Sequence, residues 1–185
     1  MNQTKKTGQS DYLKQCLRES YFSLLAQKSN DSISVSAIVK LAGVSRMSFY
    51  RYYQNKDQLV QQYVSDAFND FIKTVKQDSA EDDLTAATIF FGFFRSHKTQ
   101  IKILIKQNLF HLLAESFSSF LQHSNLAIHS KPNIPAQQIG YYYQYASAGI
   151  LHLAKSWVMG DMKESNLEMA QVLKAIKIAQ GEKYT

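Results

Sequence analysis

Gly43 stands inside a stretch, residues 33–59 (ISVSAIVKLAGVSRMSFYRYYQNKDQL), that leaves the chain little choice of local structure. Val35, Ile38 and Val39 repeat at helical spacing, and the pattern stops at Gly43. A second pattern follows Ser45, with Phe49, Tyr52 and Tyr53 three and four residues apart. Ser34 and Ser45 each stand just before a pattern. There a hydroxyl can accept a hydrogen bond from the N–H groups that a helix start leaves unpaired. The spacing predicts two short helices, Val35–Ala42 and Arg46 to about Gln54, meeting at a tight turn packed by Ala42 and Val44. Glycine suits that turn because it adopts positive φ at little cost.

The rest of the chain reads as helix. Leu13, Cys16, Leu17, Tyr21, Leu24 and Leu25 give one buried face from Ser10 to Lys28, after a polar tail over residues 1–9. Cys16 falls on this stripe and reads as a small core side chain. Lys56 opens a long helix to about Gln77, with Leu59, Tyr63, Ala67, Phe71 and Val75 in register. Further helices are expected over 82–95, 97–106, 109–123, 135–159 and 164–180, with a loop over 124–135 that holds both prolines. No segment reads as strand. The expected fold is all-α, with about nine helices in two domains, 10–56 and 57–185. Two prolines and seven glycines in 185 residues agree with long uninterrupted helices.

The net charge of +6 is placed unevenly. Residues 1–56 carry nine Lys/Arg against three Asp/Glu, whereas residues 57–185 carry twelve of each. A basic module joined to a neutral one points to a polyanionic partner for the first part. A single cysteine excludes an intrachain disulfide and suits a reducing compartment. The first ten residues have no hydrophobic run, and no stretch is long and apolar enough to span a membrane. A cytoplasmic, nucleoid-associated location is expected. No phosphate loop, nucleophile elbow or H-E-x-x-H is present, so neither catalysis nor a cofactor is expected. His123 and His129, six apart across a loop, make a weak metal motif, and no metal site is expected.

With Phe49, Tyr52 and Tyr53 facing inward, Arg46, Met47, Tyr50 and Arg51 are left on the outer face of the second short helix. Arginine can pair with guanine through two hydrogen bonds or grip phosphate, and tyrosine can donate to phosphate. Ser34, Ser36 and Ser45, at helix starts, can reach phosphate through hydroxyls and free N–H groups. Lys56 falls close enough to join them. This is the pattern of a helix-turn-helix, whose second helix enters the major groove of double-stranded DNA.

Residues 10–59 resemble the N-terminal domain of the tetracycline-repressor (TetR/AcrR) family. The likeness rests on Ser34-Val35, Ile38, Ala42-Gly43-Val44-Ser45, Phe49-Tyr50-Arg51-Tyr52-Tyr53, Asn55-Lys56-Asp57 and Leu59. The resemblance implies a dimeric regulator with two recognition helices in successive major grooves of a palindromic operator. It implies Arg46, Met47 and Ser48 against bases or adjacent phosphates, and Tyr50 and Lys56 on phosphates. Tyr53 replaces the commoner Phe, Leu41 stands where a polar residue is frequent, and Met47 where a small one is. Met47 therefore leaves base preference open.

Residues 141–160 (YYYQYASAGILHLAKSWVMG) resemble a subgroup common in low-GC Gram-positive bacteria. Ile139, Tyr142, Tyr143, Ala146, Ile150, Leu153 and Trp157 form one stripe; Tyr141, Tyr145, Ala148, His152 and Met159 form another. A helix apolar on two sides is expected to be buried on two sides, inside a core or in a dimer. The resemblance implies a four-helix dimer seam from this helix and the last one. Tyr142, Ala146, Gly149, Ile150, Leu153 and Trp157 would meet Met169, Leu173 and Ile176. The phenylalanines of residues 90–120 read as core, or as the wall of a pocket for a small hydrophobic or aromatic effector. For the pocket, Phe91, Phe117, Arg95, Asn108, His111 and His152 are the candidates. The expected function is a sequence-specific regulator, in the first instance a repressor released by an effector. An activator under a protein partner, and a helical interaction module without DNA, are the alternatives.

Overall fold

A computed structural model describes residues 3–77, 82–123 and 135–179. They form nine α-helices and, among the described residues, no strand: α1 Gln3–Gln27, α2 Val35–Ala42, α3 Arg46–Tyr50, α4 Asp57–Gln77, α5 Asp83–Ser96, α6 Lys98–Lys106, α7 Phe110–His123, α8 Ile139–Met159 and α9 Asn166–Ala179. Single 3-10 turns at Asn30–Ser32 and Ala136–Gln138 precede α2 and α8. Of the expected loop at 124–135, residues 124–134, with His129 among them, lie outside the described residues.

Helix starts follow the local chemistry. Ser34 Oγ accepts from the Ala37 N–H at 3.2 Å, and Ser45 Oγ from the Ser48 N–H at 3.0 Å. The Asp82 carboxylate caps α5 through the N–H groups of Leu84 and Thr85, and the Thr85 hydroxyl also donates to it. These bonds, chiefly those from Thr85, hold the Asp82 carboxyl below the usual carboxylate range.

Several boundaries differ from expectation: α8 starts at Ile139 rather than 135 because a 3-10 turn precedes it, and two more differ at the N-terminal end. Helix α1 already includes residues 3–9, taken from sequence as a loose tail; glutamine and lysine are good helix formers and no proline interrupts them. Helix α3 ends at Tyr50 rather than near Gln54. There the next helix claims the chain: Asn55 Oδ1 accepts from the Gln58 N–H, and Gln58 Oε1 accepts from the Gln54 N–H. These two bonds direct the backbone out of α3 and into α4.

Helices α1 to α3 pack on the start of α4 around Leu17, Tyr21, Leu25, Ile38, Phe49, Leu59 and Val60. Behind them, α5 packs on α9, and α7 packs on α4 and α8. Phenylalanines fill the space between these helices: Phe68 stacks on Phe93 at 5.1 Å and on Phe120 at 5.3 Å, and Phe90 lies 5.2 Å from Phe117. The turn from α8 to α9 carries Asp161 and Met162 at positive φ, 65° and 56°, where residues other than glycine are strained. Arg95 holds that turn in place. Its guanidinium donates to the carbonyls of Met162 and Glu164 and to Asn166 Oδ1, and it lies 4.8 Å over the Trp157 ring.

Trp157 itself is 4% exposed, packs edge-on against Phe91 at 5.5 Å and donates from its indole N–H to the Glu164 carbonyl. Trp157→Ala is expected to lower the free energy of unfolding by about 3–5 kcal/mol. Urea denaturation measures this; a loss under 1 kcal/mol would contradict the packing described, with the threshold set by ordinary surface substitutions.

Candidate nucleic-acid interface

The turn between α2 and α3 depends on Gly43, which adopts φ 67° and ψ 28° at the end of α2. A Cβ there would meet nothing within 4 Å, so backbone conformation rather than space selects glycine. Val44 N–H then bonds back to the Val39 carbonyl at 3.0 Å, closing the helix end. Phe49 is 0% exposed and brings α3 onto the core, with the Tyr53 ring 5.7 Å away. Tyr53 is buried and Tyr52 half-buried, so the inner face is as the spacing predicted.

The opposite face is open. Arg46 and Arg51 are exposed, Met47 is 76% exposed and Tyr50 51%. Ser36, Lys40 and Leu41 of α2 are exposed too, and Lys40 adds a cation to this face beyond those the spacing points to. Between Asp31 and Asp57 the chain has Lys40, Arg46, Arg51 and Lys56 and no acidic residue. This face therefore offers cations and donors without local carboxylates to neutralise them.

Three of the four serines considered have internal work. Ser34 and Ser45 accept cap bonds, and the Ser45 and Ser48 hydroxyls lie 2.9 Å apart. A capping hydroxyl spends its lone pair and keeps its proton, so Ser34 retains a donor for an anion. Lys56 is tied inward more firmly. Its ammonium donates to the Asn30 carbonyl and, at 3.1 Å, to the Ile33 carbonyl. Two of its three protons thus bind the loop that leads into α2, a role that spacing alone did not suggest.

A second surface lies at the far side of the body. In α8 the buried residues are Ser147, Ile150, Leu151, Ala154, Trp157 and Val158. The other stripe, Tyr141, Tyr145, Ala148, His152 and Met159, is exposed on the single chain, with Leu167, Val172 and Ile176 exposed on α9. Between the two helices runs an apolar groove of about 340 Å³, lined by Tyr142, Ala146, Gly149, Leu153, Leu173 and Ile176 among others. Trp157 and Met169, expected on this seam, are instead buried within the chain, and Ile150 and Leu173 are buried too, though they line the groove. Helical periodicity gives the angle at which a side chain leaves α8 or α9, but not which of two neighbours covers it.

The six effector candidates do not converge. Phe91 and Phe117 are fully buried among other rings, and Arg95 is engaged by the α8–α9 turn. Asn108 adopts φ 58° in the α6–α7 turn, and its carbonyl bonds His111 Nδ1 at 3.0 Å; both residues are exposed, as is His152. An open groove of about 760 Å³ does run between α4 and α7, past Tyr52, Gln58, Gln62, Ser65, Phe68 and Phe120. Among the described residues, no three His, Cys, Asp or Glu side chains come together as metal ligands would, and no helix is long and apolar enough to cross a membrane.

Residues 22–63 match the bacterial regulatory proteins of the tetR family, and residues 84–177 match a transcriptional regulator C-terminal region. Among solved structures, a TetR transcriptional regulator from Streptococcus agalactiae 2603V superposes with a TM-score of 0.63 at 18% identity, covering 95% of this chain and 98% of its own. The dihydroxyacetone kinase operon activator DhaS superposes with a TM-score of 0.56 at 16% identity, covering 91% of this chain and 95% of its own. At such identities the likeness is one of fold. No curated protein matches the chain.

The two cations Lys56 and Arg51 separate in one experiment. Lys56→Met strands the Asn30 and Ile33 carbonyls and is expected to cost about 1–3 kcal/mol of stability. It should leave the dependence of log K on log salt for duplex DNA unchanged. Arg51→Ala should leave stability alone and reduce that salt slope by about 0.9 per phosphate released. A reduced slope for Lys56→Met would put its ammonium on the DNA backbone instead.

Proposed function

Because this chain belongs to the tetR family of bacterial regulatory proteins and is a DNA-binding transcriptional regulator, we propose that it works as a two-fold dimer that represses by occupying a palindromic operator. The observation that carries this reading is the outer face of α3, where Arg46, Met47 and Tyr50 are exposed, with Arg51 exposed at its C-terminal cap. In this reading Arg46 and Met47, at its N-terminal end, meet base edges. Arg46 supplies a fork of donors suited to guanine O6 and N7, and Met47 supplies an apolar surface suited to a thymine methyl. Tyr50, Arg51, Ser34, Ser36 and Ser48 serve the phosphates. Lys56 contributes first by fixing the loop beneath them.

Symmetric half-sites need a symmetric protein, and the exposed apolar face of α8 and α9 supplies the means. Two copies packed across it bury Tyr141, Tyr145, Leu167 and Ile176 in a four-helix seam. Ala148 and Gly149, both exposed, let the backbones approach closely. Release from the operator follows when an effector moves α4, which runs from Asp57 into the body and lines the groove shared with α7. The effector shifts the balance only by its differential affinity for the two spacings of the recognition helices.

A second reading, an activator controlled by a protein partner, has one observation in its favour. Phe91, Phe117 and Arg95 are consumed by packing rather than arranged around an internal cavity. DhaS, of the same fold, is an operon activator.

Selection of duplexes from random-sequence DNA by the purified protein tests the reading. An inverted repeat is expected, with half-sites centred about 10–10.5 base pairs apart or a multiple of that. Enrichment of a lone half-site, or of nothing, would count against it. On the selected duplex, Arg46→Ala should cost about 1–3 kcal/mol and relax choice at one base position per half-site. Gly149→Glu, whose Cβ meets nothing within 4 Å in the single chain, should yield a helical monomer by sedimentation that binds the duplex weakly. If Gly149→Glu remains dimeric at sub-micromolar concentration, the seam lies elsewhere.

A further inference from the structure

Helix α6 ends in a turn that is closed by its own backbone. Gln107 N–H bonds to the Ile103 carbonyl at 2.9 Å, Asn108 N–H to Ile105 at 3.2 Å and Leu109 N–H to Leu104 at 2.8 Å. Asn108, with φ 58°, provides the left-handed residue that such a helix exit needs. The turn presents the Gln107 side chain to the C-terminal end of α1. Gln107 Nε2 donates to the Leu25 carbonyl at 2.6 Å and the Lys28 carbonyl at 2.9 Å, and its Oε1 accepts from the Asn30 N–H at 3.0 Å. The last carbonyls of a helix have no partner within it. One amide group from the C-terminal body thus caps α1 and holds the first residue of the 3-10 turn that follows.

Asn30 passes this hold onward. Its Oδ1 accepts from the Tyr21 hydroxyl at 2.6 Å, and its carbonyl accepts from Lys56 Nζ. Burial pushes the Tyr21 hydroxyl pKa well up, so it stays protonated and remains a donor. Lys56 also holds the Ile33 carbonyl, directly before the Ser34 cap of α2. Gln107, Asn30 and Lys56 therefore form one line from the end of α6 to the junction of the helix-turn-helix with α4. The DNA-binding end also rests on α4: Leu17, Tyr21 and Leu25 share a core with Leu59 and Val60, Phe22 packs edge-on against Tyr63 at 4.9 Å, and Arg18 pairs with Asp66 at 3.0 Å. Gln107 adds a hold on α6, so the helix-turn-helix is set against two helices of the body rather than one.

We propose that Gln107 is a positioning residue for DNA recognition: its side-chain amide locks the pitch of the helix-turn-helix to the body, and so fixes the separation of the two recognition helices in the dimer. The fit requires two donors and one acceptor on a side chain of this reach. Glutamate offers no donor and turns a carboxylate toward two carbonyls; asparagine is one methylene shorter. Movement of α6 against α4 reaches the DNA-binding surface through this amide. The proposal rests on the dimeric operator reading above.

The test uses the full-length protein and duplexes that the wild-type protein selects from random-sequence DNA, rebuilt with the half-sites one base pair closer or farther apart. For the wild-type protein each shift should weaken binding about 5-fold or more, in the usual range of coupling between sites. For Gln107→Ala the same shifts should change affinity less than about 2-fold, while sedimentation shows an intact dimer. A purely structural role for Gln107 would lower affinity equally at every spacing, and that result overturns the proposal.

Hydrogen exchange without DNA gives a second decision. Amides of residues 28–33 should exchange about 5-fold faster or more in Gln107→Ala, with α8 and α9 unchanged. Unchanged exchange at 28–33 also overturns it. If the wild-type protein itself is indifferent to spacing, the dimeric operator reading fails, and exchange alone then decides whether Gln107 holds the loop.

Discussion

A helix of five residues has almost no stability of its own, since the cost of its first turn is never repaid by further turns. Helix α3, Arg46–Tyr50, is such a helix, and it must hold its outer side chains still if they are to read a base sequence. Its rigidity is borrowed. Phe49 is fully buried in the hydrophobic core, Ser45 caps one end, and the Gly43 turn sets its angle to α2. The remainder of the N-terminal end can be understood as support for that one ring. Tyr21, Leu25 and Leu59 surround the same core, and Lys56 pins the loop leading into α2.

Much of this end could be read from the residues alone, because the constraints there are local. Positive φ at Gly43, the caps at Ser34 and Ser45 and the inward face of Phe49 and Tyr53 each follow from a few neighbouring positions. The reading weakened where tertiary partners decide. Trp157 and Met169 fall on apolar stripes that could have faced another subunit; the structure turns them into the chain's own core, beside Arg95 and Phe91. Tyr141 and Tyr145 look like core by composition and are exposed. Lys56 looks like a phosphate ligand by position and is bonded to two carbonyls. Gln107 carries no sequence signal at all, since its partners are the backbone groups of residues 25, 28 and 30, remote in the chain.

The arrangement of the body gives it a way to act on the DNA-binding end. Helix α4 carries the helix-turn-helix at one end and lies against α5 and α7 along the rest. The aromatic stack of Phe68, Phe93 and Phe120 joins these helices beside the groove that opens between α4 and α7. Whatever moves α4 relative to α6 strains the Gln107 clasp. In the proposed dimer, a second copy seated on the exposed apolar face of α8 and α9 would turn such a movement into a change of spacing.

Methylation interference on the selected duplex asks whether the outer face of α3 lies in the major groove. Methylation at guanine N7 blocks the major-groove edge, and methylation at adenine N3 blocks the minor-groove edge. The account predicts interference at guanine N7 in both half-sites, with the guanine opposite Arg46 losing its effect in Arg46→Ala. Interference confined to adenine N3, or a guanine pattern unchanged by Arg46→Ala, would show that DNA is held by some other surface of the protein.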